Sequence, residues 1–186
     1  FSGWSTGEIM SGIEGFAATR KFDAWFYGEP SHAGGSPQGG KNALLAAATA
    51  VLNLYAIPRH SGGATRINVG QMTAGSGRNV IPGEAHLVIE TRGESTALST
   101  YMMMQAERVL QAAAAMYDCG LKIQPMGAAE SATSDPALMA RVEAAAGQLG
   151  GFRLLPSFQS GGSEDVTYLM QRVQARSGLA TSVGLG

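Results

Sequence analysis

Lys21-Phe22-Asp23-Ala24-Trp25-Phe26-Tyr27-Gly28 alternates with a period of two: Phe22, Ala24 and Phe26 share one face, and Asp23, Trp25 and Tyr27 the other. That is a strand with at least one buried side. Pro30 to Gly40 follows as a loop of small residues, and a helix is expected from about Asn42 to Ile57. Its stripe is Leu44, Ala48, Val51 and Tyr55, and Pro58 closes it. Thr65 to Thr73 reads as a second strand with Ile67 and Val69 on one face. Ala74 to Gly83 is rich in turn residues. Glu84 to Arg92 is a third strand, with Ala85, Leu87 and Ile89 pointing one way. Ser95 is a good N-cap for a helix carrying Leu98, Met102, Ala106, Val109, Ala113 and Met116, with Gly120 as its stop. Leu121 to Met126 is the fourth strand.

The order strand, helix, strand, strand, helix, strand over residues 21–128 predicts an α+β fold. It is the ferredoxin-like βαββαβ unit, a four-stranded antiparallel sheet with two helices on one face. In that topology the second and fourth strands are edges. The second carries little charge, and such an edge invites pairing with another chain. Residues 1–20 are Gly- and Ser-rich and read as a connector. From residue 131 the pattern changes. Asp135-Pro136 opens a helix, Leu154 to Phe158 is a short strand, a helix runs through Val166, Leu169, Met170 and Val173, and Ala180 to Leu185 returns as a strand. This is an incomplete α/β segment, residues 131–186, expected to be a piece of a second domain.

Thirteen basic and 14 acidic residues leave a net charge of −1, too balanced for a general nucleic-acid or membrane surface. No apolar run reaches the roughly 18 residues needed to span a bilayer. The single cysteine, Cys119, makes no internal disulfide, so a cytoplasmic location is expected. The chain starts at Phe1 and stops in Val183-Gly184-Leu185-Gly186, and both ends read as cut from something longer. The three histidines, His32, His60 and His86, show no metal-ligand spacing.

The candidate chemistry lies in the loops. His32 sits in Ser31-His32-Ala33-Gly34-Gly35-Ser36, where few side chains can cover the ring. It is either a solvated histidine or a hydrogen-bond donor to a developing oxyanion. Asn79 is either a turn asparagine or an amide aimed at a ligand carbonyl or carboxylate. Arg92, at a strand end, is either solvated or a bidentate carboxylate clamp. Ser160-Gly161-Gly162-Ser163-Glu164-Asp165 is either an anion-binding turn or a helix entry with Ser163 as N-cap. His86 and His60 are expected on a strand surface and in a loop.

Several stretches in this order resemble the M20 metallopeptidase family, in its amidohydrolase branch: Ser31-His32-Ala33-Gly34, Gly40-Lys41-Asn42-Ala43-Leu44, Arg66-Ile67-Asn68-Val69-Gly70, Gly75-Ser76-Gly77-Arg78-Asn79-Val80-Ile81-Pro82, Glu90-Thr91-Arg92-Gly93 and Gly162-Ser163-Glu164-Asp165. The resemblance implies a two-metal (zinc or manganese) catalytic domain interrupted by a ferredoxin-like lid that also makes a dimer, with itself or with a homologous subunit. Residues 1–20 would be a connector or a partial catalytic-domain segment, 21–128 the lid and 131–186 part of the catalytic domain. The metal ligands and glutamate base are expected outside this chain, so the chain alone is expected to be inactive. The implied reaction is cleavage of an amide bond to glutamate, in p-aminobenzoyl-glutamate or a similar N-acyl amino acid. The resemblance makes His32 the oxyanion donor, acting in the partner's active site. It makes Asn79 and Arg92 substrate contacts, and Gly161, Gly162 and Ser163 a substrate-lining turn. The alternative is a stand-alone ferredoxin-like binding or dimerisation module without catalysis. RNA binding is disfavoured because the central strands lack the aromatic-rich pattern of RNA-recognition sheets.

Overall fold

The computed structural model describes residues 4–186. Its elements in chain order are β1 (Glu8–Met10), β2 (Ile13–Glu14), β3 (Ala18–Tyr27), β4 (Ser31–His32), α1 (Ala43–Tyr55), β5 (Thr65–Ala74), β6 (Val80–Ile81), β7 (Glu84–Gly93), α2 (Thr96–Met116), β8 (Gly120–Ala129), α3 (Pro136–Leu149), β9 (Arg153–Leu155), β10 (Phe158–Gln159), α4 (Val166–Gln174) and β11 (Gly184–Leu185). They fall into two compact units. One is Thr19–Gly93 with Ala97–Ala128. The other comprises the described residues up to Ala18, Glu94–Thr96, and the chain from Ala129 onward.

The first unit is built on a four-stranded sheet of order β5-β7-β3-β8, which leaves β5 and β8 at its edges. β5 and β7 pair antiparallel from Thr65 opposite Gly93 to Ala74 opposite Ala85, with a register shift between Val69 and Gln71. Alternation sends Phe22, Ala24 and Phe26 of β3 and Ala85, Leu87 and Ile89 of β7 to one side. There they meet Ala46, Ala47, Ala50 and Leu54 of α1 and Met102, Ala106 and Leu110 of α2 in a single core. Both helices therefore cover the same sheet face.

The buried stripe of α1 is Ala43, Ala46, Ala47, Ala50 and Leu54, not the expected Leu44, Ala48, Val51 and Tyr55. Alanines let the helix approach the sheet closely, and the larger side chains are left on its flanks, with Leu52 75% exposed. The helix starts where expected, since the Asn42 side chain accepts from the Leu45 N–H at 3.2 Å. α2 ends at Met116, before the expected stop at Gly120. Asp118 takes the left-handed turn (φ 53°), the Cys119 N–H donates to the Ala114 carbonyl at 3.0 Å, and Gly120 opens β8. Aspartate tolerates that backbone region, so no glycine is needed.

In the second unit β1 lies between β11 and β9, antiparallel to the first and parallel to the second. β2 pairs in parallel with β10. Of the segment 1–20, residues 1–3 lie outside the described residues, and the remainder carries two strands and the start of a third. Strands of two and three residues are too short to show a period. The expected Ala180–Leu185 strand shrinks to β11, and Leu154–Phe158 splits into β9 and β10. Met10, Ile13, Phe16, Met170 and Ala180 form this unit's core. Among the described residues no helix is long and apolar enough to cross a membrane.

Candidate functional site

His32 is held in a loop whose base is clamped by backbone hydrogen bonds. Gly28 N–H donates to Gly83 O at 2.7 Å, Glu29 and Lys41 exchange a pair at 3.0 and 2.9 Å, and Ala43 N–H donates to Pro82 O at 2.9 Å. Gly28 is required by space: a Cβ there would sit 2.0 Å from the Lys41 carbonyl oxygen. Lys41 Nζ also meets Glu29 Oε1 at 2.7 Å. That hydrogen bond and the carboxylate's charge raise the lysine above its ordinary value.

Above this base β4 pairs antiparallel with β6, Ser31 opposite Ile81 and His32 opposite Val80. The His32 ring is exposed. Its Nδ1 accepts from the backbone N–H groups of Gly34 at 3.1 Å and Gly35 at 2.9 Å. An Nδ1 that accepts leaves the neutral ring's proton on Nε2. The exposed imidazole therefore presents a donor.

Asn79 joins this end of the sheet. Its carbonyl accepts from the Ala33 N–H at 2.9 Å, and its residue is exposed beside the histidine loop. Arg92 does not join it. Glu84, where β7 begins, follows the β4–β6 pair directly, and Arg92 lies eight residues further along, about 26 Å at 3.3 Å per residue. Within one copy, one small ligand cannot touch both ends. Arg92 is already engaged: its Nε and Nη2 each donate to Glu90 Oε1 at 3.0 Å. The same oxygen accepts from Thr19 Oγ1 at 2.9 Å.

The Gly161-Gly162-Ser163 turn belongs to the second unit. The N–H groups of Ser160 and Gly161 donate to Glu14 O and Gly15 O at 2.8 and 3.1 Å, and that of Gly162 to Ser160 Oγ at 3.1 Å. Ser163 is not a cap. Its hydroxyl donates to Ala17 O at 2.7 Å, and α4 starts later, after Asp165. Three amides that an anion would use are therefore spent on the protein itself.

Two features of the sheet unit depend on contacts between separate elements, which the sequence pattern does not carry. On the face away from the helices, His86 Nε2 meets Asp23 Oδ2 at 2.7 Å. His86 also stacks on Trp25, with ring centroids 4.5 Å apart, and Lys122 Nζ lies 5.1 Å from the Trp25 ring centre. At the β5 edge, Tyr55 Oη accepts from the Val69 N–H at 3.0 Å and donates to Asn68 Oδ1 at 3.0 Å. The edge is thus partly capped by its own helix, just before the register shift. Cys119 is a free thiol, which burial and then the Asp118 charge push above its ordinary value.

Residues 12–118 match the peptidase dimerisation domain of the M20 family, and the chain belongs to that family. Over its whole length it is 44% identical to one of the subunits named for p-aminobenzoyl-glutamate hydrolase in Escherichia coli, covering 43% of that protein. It is 43% identical to an indole-3-acetyl-aspartic acid hydrolase of Enterobacter agglomerans, again over 43% of that protein. The crystal structure of an aminobenzoyl-glutamate utilization protein from Klebsiella pneumoniae superposes with a TM-score of 0.92 at 46% identity. That match covers 97% of this chain and 47% of the other. The chain spans less than half the length of these relatives.

Proposed function

We propose that this chain is the lid and dimer-forming portion of a hydrolase that cleaves an amide bond to glutamate, with p-aminobenzoyl-glutamate or a similar N-acyl amino acid as substrate. The order β5-β7-β3-β8 with both helices on one face supports the ferredoxin-like reading of residues 21–128. Residues 131–186 are read as part of the catalytic domain, and the location as cytoplasmic. The names and the coverage of the relatives support the activity. The observation that carries the role of this chain is the exposed His32, whose Nδ1 accepts two backbone amides and so leaves Nε2 as the donor.

Among the described residues no three His, Cys, Asp or Glu side chains gather to hold a metal ion. The family's metal pair does not fit the groups present here. What this chain supplies is binding and orientation. His32 Nε2–H donates to the oxygen on which negative charge develops, worth about 3–4 kcal/mol in comparable sites. Asn79, beside it, contacts the same substrate. Arg92 at the far end of β7 binds a substrate carboxylate in a different site, so two copies, or one copy with a homologous partner, share two composite sites. The Gly161-Gly162-Ser163 turn lines the substrate wall through its backbone shape.

The chain by itself, supplied with zinc or manganese, is expected not to hydrolyse p-aminobenzoyl-glutamate, and turnover would sink the assignment. In a polypeptide carrying the catalytic remainder, His32→Ala should lower kcat by about 10²–10³-fold with little change in KM. An effect on KM alone would remove His32 from the oxyanion role. Light scattering at tens of micromolar should find a dimer of the chain, formed along β5 and α1; a monomer would count against the shared sites.

A further inference from the structure

We propose that the backbone amides of Gly34 and Gly35 are positioning groups that hold His32 with its proton on Nε2. The role this serves rests on the reading of His32 as an oxyanion donor. An imidazole has two nitrogens, and either can carry the proton. A ring on an open loop has little packing to choose between them. Here the choice is made two and three residues downstream, where two N–H groups converge on Nδ1 at 3.1 and 2.9 Å. The turn is closed by the Ser36 N–H donating to the His32 carbonyl at 3.0 Å.

With both amides on Nδ1, that nitrogen is closed to a metal ion and to service as a base. Nε2–H is then the ring's one N–H donor. The ring is thereby a donor in one direction, with its χ angles restrained by backbone rather than by side chains. Glycine at 35 also supplies room: an added Cβ would lie 3.3 Å from Nδ1 and press on the ring. A loop without bulk around the histidine is what lets the amides reach it.

The test is nitrogen-15 magnetic resonance on the uniformly labelled 186-residue chain, at a pH where the ring is neutral. The expected result is a scalar coupling across the hydrogen bonds, from the Gly34 and Gly35 amide nitrogens to His32 Nδ1. The ring proton should be found on Nε2. In Gly35→Pro, which deletes one donor, the Gly35 coupling should be lost and the Nδ1 resonance should move toward that of a Ser31–Ser36 peptide. A wild-type ring protonated on Nδ1, or Nδ1 and Nε2 shifts matching the free peptide with no couplings, would overturn the proposal. The wild-type spectrum decides even if the variant fails to fold. It is also independent of the kinetics of His32→Ala, so loss of the oxyanion role and loss of this positioning are told apart.

Discussion

Gly28→Ala should destabilise the sheet unit by about 3–5 kcal/mol. The new methyl carbon would start 2.0 Å from the Lys41 carbonyl oxygen and 2.9 Å from its carbon. Both are backbone atoms at the entry to α1, so no side chain can swing away. Relief requires the end of β3 to move off Lys41. That separates the Glu29–Lys41 pair, two backbone hydrogen bonds of 3.0 and 2.9 Å worth about 1 kcal/mol each. Overpacking adds about 1–3 kcal/mol. Against a total stability of about 5–15 kcal/mol, the variant should still fold. Urea unfolding gives the free-energy difference, and amide exchange of peptides from residues 19–43 locates it. Faster exchange should appear at Glu29 and Lys41, and the His32 loop should lose protection with them. A variant within about 0.5 kcal/mol of the parent, the scale of a neutral surface change, would refute the close approach on which the loop's position depends.

Gly147→Ala should act in the opposite direction. This glycine lies inside α3 with nothing within 4 Å of an added Cβ, so the urea midpoint should rise by the equivalent of about 0.5–1 kcal/mol; a fall would mean that α3 is not helical there. Asp135 governs an acid limb of stability. Its carboxylate accepts from the Ala180 N–H at 2.8 Å and the Gln174 side-chain amide at 2.9 Å, which hold it below the usual carboxylate range. A depressed folded value contributes stability above the unfolded value of about 3.9, and that contribution is lost as pH falls through the folded value. Urea midpoints of the parent and Asp135→Asn should therefore differ by a constant amount from about pH 7 to pH 5 and converge below about pH 4; a gap unchanged at about pH 2 would refute the linkage.

The alternation at Phe22, Ala24 and Phe26, and at Ala85, Leu87 and Ile89, was sufficient to place both inner strands, because every second side chain of such a strand must leave water. Strand and helix order then left few topologies that bury those faces, and His32 stood out because nothing near it in the chain could cover it. Asp135-Pro136 marked a helix start through proline's fixed φ. The stripe of α1 was misplaced because close packing favoured alanine over leucine, a choice that depends on the depth of the sheet opposite. Register was equally out of reach. The Asp23–His86–Trp25 cluster and the Tyr55 cap on Val69 each join residues that only the pairing of strands and the packing of α1 bring together. The proton on His32 is a different case: the amides that decide it lie two and three residues along the chain, and they converge on Nδ1 only in the folded turn. Local chemistry along a chain sets which segments can form and which are polar enough to act. Which groups can meet at one ligand is decided by contacts between segments remote in sequence, which come into being only when the sheet closes over its core.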